Sequence, residues 1–168
     1  MSTLMVVGLD LSLTATGYAP SIGLWGVLKP AKSLSGAARL DMIERLVMTL
    51  MEPAPDLVVI EGYAYGRPNQ AAHIGELGGV IRLALHRAGH VFVDVPPANL
   101  KKYATGKGNA SKPDVRVGVL QRFGHDIADD NSCDAFVLRA MALDALGAPM
   151  VKMPATHRSA LDKVAWPT

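Results

Sequence analysis

Leu4-Met5-Val6-Val7-Gly8-Leu9-Asp10 decides the fold. An apolar run with no polar alternation, closing on a carboxylate, reads as a strand buried on both faces, which belongs in the middle of a sheet packed between layers. Working outward, Ser12-Leu13-Thr14-Ala15-Thr16-Gly17 is a turn and residues 17–20 a second strand, so a hairpin is expected. Residues 22–28 (Ile-Gly-Leu-Trp-Gly-Val-Leu) predict a third strand, ended by Lys29-Pro30. Ser35 then caps a helix running to about residue 51, with Leu40, Ile43, Leu46, Val47 and Leu50 on one stripe and Pro53 and Pro55 closing it.

Leu57-Val58-Val59-Ile60-Glu61 repeats the opening pattern, again stopping on an acid. A helix over 69–88, a strand over 90–95 and a short helix over 97–104 follow. Thr105-Gly106-Lys107-Gly108-Asn109-Ala110 is a glycine-bearing loop, and Ser111-Lys112-Pro113-Asp114 has the form of a capping box that starts a helix ending before Gly124. Asp129-Asp130-Asn131-Ser132-Cys133-Asp134 opens a last long helix that Gly147 and Pro149 stop. Strands alternating with helices imply an α/β layer architecture. The expected organisation is one domain over 1–149 and a C-terminal appendage over 150–168, with room for a short helix over 156–164; the appendage either contacts an anionic partner or a second subunit, or packs through Leu161, Val164 and Trp166.

Composition limits what these elements serve. With 168 residues, 49% of them hydrophobic, the chain fills a single core. Its apolar runs are far shorter than the roughly 20 residues that span a bilayer, and no basic leader with a cleavage site is evident, so a soluble cytoplasmic protein is expected, in a bacterial host cell if phage-encoded. The one cysteine, Cys133, excludes an internal disulfide. A net charge of +2 hides segregation: Lys101, Lys102, Lys107, Lys112, Arg116 and Arg122 stand together against the single acid Asp114. That stretch suits an anionic backbone, and the plainer reading is a solvated face.

The acids are the chemistry-bearing feature. A charge at the end of a strand as apolar as 4–10 is expensive unless paired or bound to metal. Asp10 therefore either serves a site or caps the following turn through an Asx interaction, a role for which Glu61 is poorly suited. Asp130 and Asp134, four apart, share a helix face, where like charges repel unless a cation sits between them. Asp129 or Asp130 is also the natural N-cap. Carboxylates gathered at strand ends are the usual setting for divalent cations and two-metal phosphodiester chemistry.

The strand ending Gly-Leu-Asp with a Gly-Tyr soon after, the strand ending Ile-Glu, the Thr-Gly-Lys-Gly-Asn-Ala-Ser-Lys segment and Asp-Asp-Asn-x-x-Asp-Ala together resemble the RuvC family of Holliday junction resolvases, most closely its phage and prophage members. The resemblance spans roughly residues 4–147. It implies an RNase H-like (ribonuclease H superfamily) mixed sheet flanked by helices, a homodimer, branched DNA as substrate, and two Mg²⁺ or Mn²⁺ ions per site. On it, Asp10, Glu61 and Asp134 fall on metal ligands. The fourth is Asp130, or Asn131, which stands where many bacterial members carry the acid. Lys112, and less closely Lys101 and Lys107, fall near basic residues that hold the scissile phosphate, with Lys102 beside them as a DNA contact. Tyr63 or Tyr65 falls on an aromatic loop that meets the junction.

Three other readings compete. A YqgF-type RNase H-like nuclease acting on RNA shares the first strand, but the Thr-Gly-Lys-Gly-Asn loop favours the resolvase. Asp-Leu-Ser-Leu-Thr-Ala-Thr-Gly resembles the phosphate-binding hairpin of actin-like ATPases and sugar kinases, yet 168 residues leave no room for their second lobe. A non-catalytic branched-DNA-binding module would not need four acids near the phosphate path, because they repel DNA without metal.

Overall fold

β1 (Val6–Asp10) is buried at every position and takes the middle of a five-stranded sheet. In the computed structural model, which describes residues 4–63 and 68–167, it is followed by β2 (Thr16–Pro20), β3 (Gly26–Leu28), α1 (Gly36–Thr49), β4 (Leu57–Glu61) and α2 (Pro68–Arg87). β5 (Phe92–Val95), α3 (Pro97–Thr105), α4 (Lys112–Phe123), α5 (Asp130–Ala145) and α6 (Ala155–Arg158) complete the order. The strands lie as β3-β2-β1-β4-β5: β1, β2 and β3 pair antiparallel through short turns, and β4 and β5 join parallel through helical crossovers. This is an RNase H-like mixed sheet flanked by helices, as expected.

Strand alternation divides the core in two. Val6 of β1 and Leu57 and Val59 of β4 pack with α3, α4 and α5 on one face; Val7, Leu9, Val58 and Ile60 pack with α1 and α2 on the other. Continuing the period of two, Asp10 and Glu61 fall on the α5 face. The parallel register Leu9↔Ile60 sets the two acids side by side. α5 lies directly on this face because two strand positions lack side chains: a Cβ at Gly8 would sit 2.1 Å from the Ala135 carbonyl oxygen, and one at Gly17 2.0 Å from that of Asn131.

Most sequence expectations hold to within a residue or two. The third strand is shorter than 22–28, because Ile22 and Leu24 are exposed and Gly23 has a φ of +96°, which breaks an extended run. The Ser111 capping box is complete, with Asp114 closing it. At the tail, helix is confined to α6, and Leu161 and Val164 are buried in the α5-face core with Trp166 packed against it. Among the described residues no helix is long and apolar enough to cross a membrane.

Candidate active site

Three carboxylates converge where β1, β4 and α5 meet. Ligand-capable atoms of Asp10, Glu61 and Asp134 all lie within 4.8 Å of one another. Asp10 and Glu61 reach this point by strand alternation, and Asp134 because its neighbour Ala135 rests on Gly8. The turn after β1 does not use Asp10 as a cap. It is closed by hydroxyls: the Ser12 amide donates to Thr16 Oγ1 at 3.1 Å, and that hydroxyl donates back to the Ser12 carbonyl at 2.9 Å.

The electrostatics show how crowded the acids are. Burial, and then the charges of Glu61 and Asp134, push the Asp10 carboxyl well above its ordinary range. Burial also raises Glu61, against the opposing effects of a hydrogen bond with Asp10 and of Lys112 and Lys101. Asp134 is pushed up to about 7 by burial and by Glu61, in spite of Lys112 and Lys101. Carboxylates held this way are short of positive charge. An all-oxygen, all-acid donor set of this kind suits a hard divalent cation.

Four neighbours surround this group differently. Asp130 is not within it; its Oδ2 pairs with Lys112 Nζ at 3.2 Å, both side chains more than half exposed. Burial opposes the Lys112 charge, but the hydrogen bond to Asp130 and the acids around it win, and its ammonium is held above its usual range. Asn131, the other option for a fourth ligand, donates its amide to the Ala15 carbonyl at 2.6 Å and so ties the β1–β2 turn to α5. The N-cap of α5 is Asp129, which accepts the Ser132 amide at 2.9 Å.

The predicted DNA contacts separate into groups. Lys101, on α3, acts on Glu61 and Asp134 through its charge, so it belongs beside the acids. Lys102 is in the last turn of α3, and Lys107, exposed in the following loop, faces Asp114. Tyr63 is held against α2: its hydroxyl accepts Arg82 Nη1 at 3.0 Å, and the guanidinium lies 4.8 Å over its ring. Tyr65 lies outside the described residues. Sequence reasoning missed the Asn131–Ala15 tie and the engagement of Tyr63 by Arg82, and no local pattern announces either contact.

The sheet order and the acidic centre over its middle strands define the class: an RNase H-like protein with a carboxylate cluster at the ends of β1 and β4. No family model matches the chain. It is similar to the crossover junction endodeoxyribonuclease RuvC of Acidobacterium capsulatum (31% identical, covering 69% of this chain and 78% of that one) and of Chlamydia trachomatis (32%, 80% and 88%). Among solved structures, that of T. thermophilus RuvC in complex with Holliday junction substrate superposes with a TM-score of 0.68 at 21% identity, covering 82% of this chain and 91% of that one. A second T. thermophilus RuvC structure gives 0.69 at 21%, covering 90% and 100%. The chain belongs to the RuvC family of crossover junction endodeoxyribonucleases.

Proposed function

We propose that the chain is a structure-specific DNA endonuclease that resolves Holliday junctions by metal-dependent hydrolysis of phosphodiester bonds. The observation that carries this is the convergence of Asp10, Glu61 and Asp134, all with raised pKa values, beside Lys101 and Lys112 in a RuvC-family chain. Asp10, Glu61 and Asp134 would hold two Mg²⁺ or Mn²⁺ ions, and Asp130, one turn earlier on α5, is the carboxylate available as a fourth ligand once its Lys112 contact gives way. Bound there, such ions supply Lewis-acid polarisation of the phosphate and a more acidic water.

The protein's own groups do the rest. Lys112 sits next to the acids and offsets charge that develops on the phosphoryl oxygens. Lys101, Lys102 and Lys107 contact flanking phosphates, which gives affinity without sequence information. Tyr63 or Tyr65 would supply the aromatic side chain that meets the branch point. Paired nicks in a four-way junction need two sites related by a two-fold axis, so the working form is a homodimer. α2 offers the face for it: Gly75 and Gly79 are open and Leu83 is exposed, whereas Gly78 is turned inward beneath Tyr63 and Arg82. The nuclease domain is 1–149, with 150–168 an appendage, and the protein works in the cytoplasm.

The test is incubation with Mg²⁺ and four-way, flap and duplex DNAs labelled on every strand. Wild type should give symmetric paired nicks in the four-way junction. Asp10→Asn and Glu61→Gln should keep junction binding and lose cleavage by more than about 100-fold. Undiminished cleavage by either variant would remove these residues from the site.

A further inference from the structure

The segment after α5 returns along α3 and grips it at both ends. Near the helix start, Asn99 Nδ2 donates to the Ala160 carbonyl at 2.7 Å. At its end, His157, buried on α6, places Nδ1 2.8 Å from the Tyr103 carbonyl oxygen. That carbonyl is one of those a helix C-terminus leaves without an amide. Gly106 takes the left-handed cap and donates to Lys102, and the Lys107 amide goes to Thr105 Oγ1 at 3.1 Å. The imidazole therefore supplies the missing donor, with the proton on Nδ1 because a carbonyl only accepts.

The site is tightly built around that ring. A Cβ at Gly106 would lie 3.2 Å from His157 Nε2, so the loop backbone rests against the imidazole. The next residue, Arg158, closes the grip: its Nε reaches buried Asp144 at 3.0 Å, and Asp144 also accepts the Tyr103 hydroxyl at 3.0 Å. Met153, Ala160, Leu161 and Val164 anchor the segment in the core. Between the gripped positions 99 and 103–106 stand Lys101 and Lys102, and the gripped loop leads on to Lys107.

We infer that residues 150–167 act as a strap that positions the lysine-bearing α3 and its following loop for the DNA backbone, with His157 as the positioning residue. The inference rests on the reading of Lys101 as a phosphate contact. Without the imidazole, the Tyr103 carbonyl loses its donor and the Gly106 turn its support. The last turn of α3 then frays, and the lysines in and beside it are no longer held within reach of their phosphates.

The experiment measures binding of a four-way junction to the full chain in Ca²⁺ over a salt series, for wild type, Lys101→Ala, His157→Leu, His157→Asn and Asn99→Ala. Circular dichroism melting reports folding. His157→Leu should weaken binding about 10-fold and make the log Kd against log salt slope shallower by about one phosphate contact, as Lys101→Ala does. His157→Asn, whose Nδ2 stands in for Nδ1, should restore both. If His157→Leu does not fold, Asn99→Ala, which leaves the core untouched, should show the same change at about threefold. Wild-type affinity and slope in the folded His157 and Asn99 variants, with Lys101→Ala impaired, overturn the strap. An unimpaired Lys101→Ala overturns the phosphate-contact reading beneath it.

Discussion

Replacing Asp134 with asparagine should stabilise the metal-free protein while disabling it. The carboxyl is pushed from an ordinary 3.8 to about 7 by burial and by Glu61. Its native form thus binds more protons than its unfolded form, and stability contributed by this group falls as pH rises from about 4 to about 7 and is flat above. At pH 8 the charged carboxylate costs the fold at most about 4 kcal/mol, three pKa units at about 1.4 kcal/mol each. At pH 5, where the native carboxyl is protonated, the cost shrinks to about 1.7 kcal/mol. Asparagine keeps the shape without the charge, so in EDTA at pH 8 the variant should be about 2–4 kcal/mol more stable, a rise of roughly 5–12 °C in Tm for a chain of this size. The gain should be less than half as large at pH 5. Mg²⁺ or Mn²⁺ should raise the melting temperature of wild type and leave the variant nearly unmoved, because the ions bind the ionised cluster. Urea or thermal denaturation followed by circular dichroism at the two pH values measures all of this. A variant less stable than wild type at pH 8, or equally displaced at both pH values, would refute the claim that these acids are held together at a cost that a cation relieves.

Three further outcomes follow from the neighbours of the cluster. Asp130→Asn should weaken Mn²⁺ binding, measured by calorimetry, about 10-fold. Asn131→Ala should leave that affinity alone and cost about 1 kcal/mol of stability through the lost bond to Ala15. The reverse pattern makes Asn131 the fourth ligand. Lys112→Ala should slow single-turnover cleavage at saturating junction 10- to 100-fold, on the order of one lost transition-state donor, while junction Kd changes little; a change in Kd alone would demote Lys112 to a phosphate anchor.

The sheet, the cluster and the helix caps were legible because each rests on local pattern. Val6 to Leu9 and Leu57 to Ile60 are apolar on both faces, so β1 and β4 had to be central, and the acids that end them are conspicuous for that reason. Ser111 and Asp114 form a capping box within four residues. What was not legible depends on residues far apart in the chain. Tyr103 and Asp144 are 41 positions apart, and His157 and the Tyr103 carbonyl 54. No periodicity encodes which buried groups will meet. Arg139 makes the same point: buried on α5 with its pKa lowered to about 10 by desolvation, it gives Nη1 to the Pro20 carbonyl at 2.7 Å and lies 4.5 Å over the Phe136 ring, contacts its sequence position does not suggest.

The pairing of fold and site is closest at Gly8. Any side chain there would strike the Ala135 carbonyl, so the position is empty for a packing reason, and α5 descends onto the sheet. That descent carries Asp134 to Asp10 and Glu61, whose own positions are set by strand alternation and the register of β1 against β4. Distance between the carboxylates is therefore fixed by a close backbone contact in the core rather than by flexible loops. This is what preorganised cation binding demands, since ligands that had to be gathered at each binding event would surrender part of the binding energy to ordering. The cost of repulsion is borne by the metal-free folded state whenever the carboxylates are ionised. It can be borne because β1 is packed on both faces, so the carboxylates cannot separate without opening the core on the side of α5.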